Sequence, residues 1–306
     1  MAIVSNHYKI VRVAENMLNE RVRLITAKNS NAYTNFGTNT YLIGTQNLAI
    51  IDPGPNLTSH FENVLNTIGS AKLTHIFLTH SHQDHCAMAI RLAYETGSKI
   101  YLLADPNLSK IDLLNKIKDK SDKDQKFCNK IFNVQVQTIK DFEQISNEEW
   151  CLKVIATPGH MDDHICLALH GSDAIFSGDH VMGWSSTVII PPMGNMSHFI
   201  LSLEKLLERD ENLYLPGHGD LIPNAKDYVK SQLNHRKNRE LQIFDLIKSR
   251  PFASKDLINI IYPDINSELR EAAESTIFAH LIDLESKTKI SNKGKMSIKS
   301  KFFYKL

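Results

Sequence analysis

The chain has 306 residues and a mass of 34.7 kDa, 42% hydrophobic and 23% charged, enough for one large core or one large and one small. Its 35 Lys and Arg against 34 Asp and Glu give a net charge of +1, and its 13 Gly and 10 Pro are ordinary, which argues against a wholly basic nucleic-acid binder and excludes collagen-like or low-complexity chains. No apolar run approaches a membrane span, the first residues carry no secretory leader, and Cys86, Cys128, Cys151 and Cys166 form no CxxC pair, so the expectation is a cytoplasmic protein with reduced thiols and no membrane partner.

In chain order, YKIVRV (8–13), RVRLIT (21–26), TNTYLIG (38–44) and LAIID (48–52) alternate and are β-branched, which predicts antiparallel strands. Asp52-Pro-Gly-Pro ends the last of them, and residues 57–69 have helical spacing that stops at Gly69. HIFLT (75–79) reads as a strand with His75 on its edge as a satisfied core histidine, then comes a helix near 84–96 and a strand KIYLLA (99–104). Residues 107–130 read as an exposed amphipathic helix. Strands resume at 134–139, 151–157, 164–170 and 173–179. A helix covers about 197–209, and LYLPGHG (213–219) closes the pattern. Two sheets with helices outside are expected through residue 219.

From Asn224 the character changes. A long polar helix over 225–249, helices at 253–265 and 268–287, and two short strands at 289–292 and 301–305 make a winged-helix pattern. Charge divides similarly: residues 1–215 carry 19 basic and 23 acidic side chains, residues 216–306 carry 16 and 11. After Glu285 come seven lysines, no acid, and Phe302-Phe303-Tyr304. The plain reading is a solvated tail, and the sharper one is a contact for an anionic polymer or membrane surface.

The chain is rich in His, with 14, and the informative string is Thr79-His80-Ser81-His82-Gln83-Asp84-His85 at the junction of a strand and a helix. His80 and His82 are two apart, so on an extended chain they face the same way, while Asp84 and His85 follow where the chain turns. Three further strand ends each deliver one such group on a small-residue turn: His160 in TPGH, Asp179 in SGDH and His218 in PGHG. The set divides into His80, His82 and His160 for one metal and Asp84, His85 and His218 for another, with Asp179 bridging. Imidazole and carboxylate ligands favour two Zn2+, with Fe or Mn as alternatives. Two close metals lower the pKa of a shared water and supply a bridging hydroxide as nucleophile. Asp84 can orient that nucleophile while ligating, and His180 is the candidate acid for the leaving group. Around this set, Asp52, His164 and Asp162 or Asp163 are candidates to hold imidazole N–H groups. Cys86 reads as helix packing, and Trp184 as a stacking or loop-closing ring.

The ordered set HxHxDH, TPGH, GD and PGHG resembles the metallo-β-lactamase superfamily over roughly residues 8–222. The resemblance implies an α+β fold, a four-layer αββα sandwich over 1–222, followed by a linker helix and winged-helix-like domain over 223–306. TPGHMDDH (157–164), PGHGDLIPNA (216–225) and HRKNRE (235–240) are similar to the β-lactamase-like protein 2 family, which implies a metal-dependent endoribonuclease acting on single-stranded RNA, and a homodimer. Two features depart from that family: His180 after the GD pair, and the loop over 181–196. The same ligands also suit a glyoxalase II-like hydrolase of a small thioester or ester substrate. His235, Arg236, Arg239 and Glu240 are expected to fasten the long helix to the catalytic domain.

Overall fold

The computed structural model describes residues 21–105, 107–119 and 134–305. The strand expected at 8–13, Cys128 and the end of the helix expected at 107–130 lie outside them. The chain packs as two compact units, one of residues 1–156, 163–185 and 210–225 and the other of 157–162, 186–209 and 226–306.

The first unit is built on two six-stranded sheets. In one, β1 (Val22–Thr26), β2 (Asn39–Ile43), β3 (Asn47–Ile51), β4 (Lys72–Phe77), β5 (Lys99–Leu103) and β6 (Gln135–Ile139) lie in sequence order. A three-residue turn joins β2 to β3, so the first three strands are antiparallel. Later connections run through α1 (Thr58–Ile68), α2 (Gln83–Cys86), α3 (Ala89–Thr96) and α4 (Lys110–Ile117), and crossovers of that length return the chain parallel. In the other, β7 (Gln144–Ser146), β8 (Cys151–Ala156), β9 (Ile165–Leu169), β10 (Ala174–Gly178), β11 (Leu213–Pro216) and β12 (Ile222–Pro223) are antiparallel except for the β10–β11 pair.

Period-two alternation sorts the strands of the first sheet between two cores. Tyr41, Ile43, Ala49, Ile51 and Phe77 pack with Leu152, Val154, Leu167, Phe176 and Leu215 from the second sheet. Leu42, Leu48, Ile50 and Ile76 face the other way and pack with Phe61 and Val64 of α1 and Ile90 and Leu92 of α3. Strands buried on both faces read as continuous apolar runs, as LAII does. Each fully buried Leu, Ile or Phe contributes about 1.5–3 kcal/mol, which commits the register and therefore the strand ends.

Two local expectations are revised, and the core reading of His75 is kept. The helix expected over 84–96 is broken between α2 and α3, because Gly54 inserts: its N–H donates to the His85 carbonyl at 2.9 Å and its carbonyl accepts Met88 N–H at 3.1 Å. Helix α4 is packed rather than exposed, with Leu113, Leu114 and Ile117 in the core and Ser109 capping it through a reciprocal pair with Asp112. His75 lies on β4, an interior strand, stacked 4.8 Å from Tyr101 and edge-on to Trp150. Burial and then Lys99 lower its pKa to about 4, as fits a neutral core histidine.

In the second unit, α5 (Met196–Leu207), α6 (Ala225–Ser249, from Lys226 onward), α7 (Ser254–Ile261) and α8 (Ser267–Ser286) are followed by the β13 (Ile290–Asn292) and β14 (Phe302–Tyr304) hairpin. Ile243 and Ile247, Leu257 and Ile258, Ile277 and Leu281, and Ile290 and Phe302 share one core. The basic end is therefore a folded hairpin, not a solvated tail: Phe302 is in the core, and Lys287 and Lys289 pair with Glu240. Lys293, Lys295, Lys299, Lys301 and Lys305 are exposed. Among the described residues, no helix is long and apolar enough to cross a membrane.

Candidate metal centre

The centre in the first unit is made at strand ends. After β4 the chain bends at Thr79 and is extended at His82, and His80 Nε2 lies 3.0 Å from His82 Nδ1. Helix α2 then turns Asp84 and His85 toward the end of β11. There His85 Nε2 lies 3.1 Å from His218 Nε2. Asp84 Oδ2 is 3.1 Å from His218 Nε2 and 3.4 Å from His85 Nε2. Asp179, at the end of β10, reaches both groups: Oδ1 is 3.4 Å from His85 Nε2, and Oδ2 is 3.4 Å from His218 Nε2 and 3.9 Å from His80 Nε2. Asp84, His85 and His218 form one cluster of candidate ligand atoms, all within 4.8 Å of one another, and the same holds for His80, His82 and Asp179.

Each ring is aimed by its other nitrogen. His85 Nδ1 donates to Asp52 Oδ2 at 2.9 Å, and His218 Nδ1 donates to the Gly37 carbonyl at 3.1 Å. With both protons committed to Nδ1, the neutral rings present lone pairs at Nε2, 3.1 Å apart and ringed by two carboxylates. Two lone pairs and two anions converging on one buried point repel unless a cation sits among them, so these donors fit a metal. Protons take that part otherwise. Against the cost of burial, Asp179 and Asp84 lift His218 to about 9 and His85 well above its ordinary value. Burial pushes the Asp84 and Asp179 carboxyls up, but the facing imidazoles hold both below the usual carboxylate range.

Asp52 is the organiser at the rear. It is 2% exposed at φ 50°, and it accepts Thr79 N–H at 2.8 Å, the Thr79 hydroxyl at 2.6 Å and the His85 ring. His164 Nε2 accepts the Asp179 N–H at 3.1 Å, which helps to seat that carboxylate residue. Asp163 is spent on Lys116 at 2.8 Å. His180 is 1% exposed, with its ring 5.7 Å from that of His164. Cys86 is packing, as expected: it is buried, and its Sγ donates to the Ser81 carbonyl. Trp184 is exposed beside Gly219. Gly217 has no substitute, because a Cβ there would lie 2.5 Å from Asp179 Oδ1 and 2.6 Å from His85 Cε1.

His160 belongs to the second unit, where its Nδ1 donates to the Val188 carbonyl at 2.8 Å, leaving Nε2 with a lone pair. Arg236 there donates to the Thr187 carbonyl, Arg239 stacks on Tyr262, and Glu240 takes Lys287 and Lys289.

Sequence reasoning missed three residues. Thr38 donates its hydroxyl to Asp84 Oδ2 at 3.2 Å, and Asn39 Nδ2 donates to the Pro216 and Gly219 carbonyls at 3.0 Å. Tyr41 donates its hydroxyl to the Pro216 carbonyl at 2.8 Å. Together they clamp the turn that carries His218. The available signal was the polar run Thr38-Asn39-Thr40 opening an otherwise apolar strand, since buried polar groups need partners.

The metallo-beta-lactamase superfamily model matches residues 33–218, and a beta-lactamase associated winged helix domain model matches 253–299. A beta-lactamase-like protein 2 homolog of Caenorhabditis elegans is 29% identical over 265 residues, covering 85% of this chain and 82% of that protein. An atrochrysone carboxyl ACP thioesterase of Paecilomyces divaricatus is 27% identical over 228 residues, covering 74% of this chain and 64% of that protein. Among solved structures, a metallo-beta-lactamase family protein from Thermus thermophilus superposes with a TM-score of 0.71 at 19% identity, covering 94% of this chain and 99% of that one.

Proposed function

The chain belongs to the metallo-beta-lactamase superfamily, a fold of metal-dependent hydrolases, and we propose that it cleaves phosphodiester bonds of single-stranded RNA with two Zn2+ ions. The observation that carries the metal-dependent part is the facing His85 and His218 lone pairs between Asp84 and Asp179. RNA as substrate is supported by the similarity to beta-lactamase-like protein 2 homologs and by the exposed lysines of the C-terminal hairpin.

In this reading His80, His82 and His160 would hold one ion, Asp84, His85 and His218 the other, and Asp179 both. Such ions supply an activated water nucleophile and stabilise negative charge on phosphoryl oxygens. The chain's own residues do the rest. Asp52 and the Gly37 carbonyl fix the tautomers of His85 and His218, and Thr38 fixes the Asp84 rotamer. The Asp84 side chain is 30% exposed against 8% for Asp179, so it is the carboxylate placed to take the proton of the attacking water. As the new P–O bond forms and the old one breaks, that proton passes to the leaving oxygen. Asp84, rather than His180 at 1% exposure, is the group placed for this step.

The zinc-loaded protein, incubated with end-labelled single-stranded RNA and, separately, with S-lactoylglutathione, tests the proposal. Cleavage of RNA that disappears in Asp84→Ala is the expected result. Thioester turnover without RNA cleavage would favour the second reading, thioester hydrolysis, which the similarity to an ACP thioesterase supports.

A further inference from the structure

Within its own unit the His160 turn is tied down at several points. The Pro158 carbonyl accepts the Ser202 hydroxyl at 2.8 Å, and the Gly159 carbonyl accepts Asn195 N–H at 2.8 Å. Gly159, at φ 142°, lies so close to α5 that a Cβ would meet the Phe199 backbone at 2.3 Å. The His160 ring donates Nδ1–H to the Val188 carbonyl at 2.8 Å. What fixes the direction of that carbonyl therefore helps to aim the imidazole.

Residues 187–189 are pinned at three successive positions. Arg236 of α6 donates Nη2–H to the Thr187 carbonyl, Val188 takes His160, and Ile189 N–H donates to Thr276 Oγ1 of α8 at 3.1 Å. Thr276 is itself tied to the Ala272 carbonyl at 3.0 Å. Arg236 is 2% exposed, with its guanidinium 5.2 Å from the Phe199 ring centroid. Burying a guanidinium costs several kcal/mol, and here a carbonyl and a ring face accept it rather than a carboxylate. That burial also keeps it from an incoming phosphate. A buried charge spent on one loop carbonyl, next to the carbonyl that aims a candidate ligand, is a positioning device.

We infer that Arg236 and Thr276, from the helices that follow the catalytic fold, set the orientation of the His160 imidazole through the 187–189 segment, and so tune one of the two metals selectively. The inference rests on His160 being a ligand of the proposed centre. It gives the C-terminal helices a part in the metal site besides any contact with substrate. Groups that fix a ligating imidazole through its far nitrogen are worth about 10–100-fold in metal affinity.

The test is competition of Zn2+ against a chromophoric chelator, resolving two affinities in the wild type, Arg236→Gln, Thr276→Val, His160→Ala and the Arg236→Gln/His160→Ala double variant, with thermal unfolding of each metal-free protein alongside. Expected are about 10-fold or greater weakening of one site in Arg236→Gln, a smaller weakening of the same site in Thr276→Val, and the other site unchanged within about two-fold. In the His160→Ala background Arg236→Gln should add nothing. A lower melting temperature with both Zn2+ affinities intact, equal weakening of both sites, or a further loss in the double variant would overturn the inference. If His160→Ala itself leaves both affinities unchanged, the ligand assignment falls first and takes the inference with it. If Arg236→Gln does not fold, Thr276→Val decides the matter alone.

Discussion

The molecule buries histidine and charge in two places, with opposite electrostatics. In the first unit His85 and His218 face Asp52, Asp84 and Asp179, and their pKa values rise despite burial. In the second unit His280 is 0% exposed and, among the described residues, neither ring nitrogen has a hydrogen-bond partner, and Arg236 is nearly as deep. Burial, then Arg236 and Arg239, push the His280 pKa well below its ordinary value. Burial alone therefore says nothing about function. The carboxylates make the first cluster a place for a cation, whereas burial and the neighbouring arginines keep His280 neutral.

The comparison breaks most visibly if the carboxylates are removed. Asp179→Asn keeps the shape but loses an anion that reaches both ligand groups. Lewis-acid stabilisation worth several kcal/mol corresponds to a loss on the order of 10^3-fold in RNA hydrolysis, with a fall in bound zinc by elemental analysis. His280→Leu, by contrast, should leave both within about two-fold, since no hydrogen bond is lost. Comparable loss in the two variants would show that the contrast between the clusters is not functional.

The next effect in size belongs to Asp52. An Asn there cannot accept Thr79 N–H, the Thr79 hydroxyl and His85 Nδ1–H together on two carboxylate oxygens. Zinc affinity should fall about 10–100-fold, with kcat at saturating zinc falling less. A variant with wild-type zinc affinity would remove Asp52 from the site. Smaller again is the effect of Lys293, Lys295, Lys299 and Lys301, all exposed, changed together to Gln. If each contacts a phosphate, the salt slope of single-stranded RNA binding falls by about 3, with kcat unchanged. An unchanged slope would place the RNA elsewhere.

The legibility of the site follows from what carries it. The ligand candidates of the first unit sit on short turns after apolar strands, so a local pattern named His80, His82, Asp84, His85, Asp179 and His218 without the fold. Asp52 was visible for the same reason, as the last residue of a strand. Thr38, Asn39 and Tyr41 were not, because each acts on a residue more than 40 positions away, and nothing local distinguishes a clamp from an ordinary strand. The sheets followed from alternation. The break between α2 and α3 did not, since its cause, Gly54, is far in sequence. The two C-terminal strands were legible, but the burial of Phe302 that makes the lysine-rich end a folded hairpin rather than a tail was not. The motif at 235–240 was recognised, but its contacts depend on a loop whose sequence shows no pattern.

The smallest predicted effect separates the clusters by sign. In the metal-free protein His218 is lifted to about 9, so its favourable charge is fully present below an unfolded pKa near 6.5 and is lost as pH rises toward 9. His280 runs the other way. Its folded pKa is depressed, so above about 6.5 neither state holds the proton, and below that the unfolded chain takes a proton the buried ring refuses. Stability is lost there as pH falls toward the folded pKa, by at most about 1.4 kcal/mol per pH unit. Between pH 6.5 and 5.5 the His218 contribution is flat, and His75, held at about 4, slopes in the same direction as His280 in every variant that keeps it. Urea unfolding of the metal-free wild type and His280→Leu across that unit should therefore differ in slope by about 1 kcal/mol, with the variant flatter. Equal slopes would mean that His280 takes up its proton in the folded state, and so that the second cluster, like the first, has an anion to meet it.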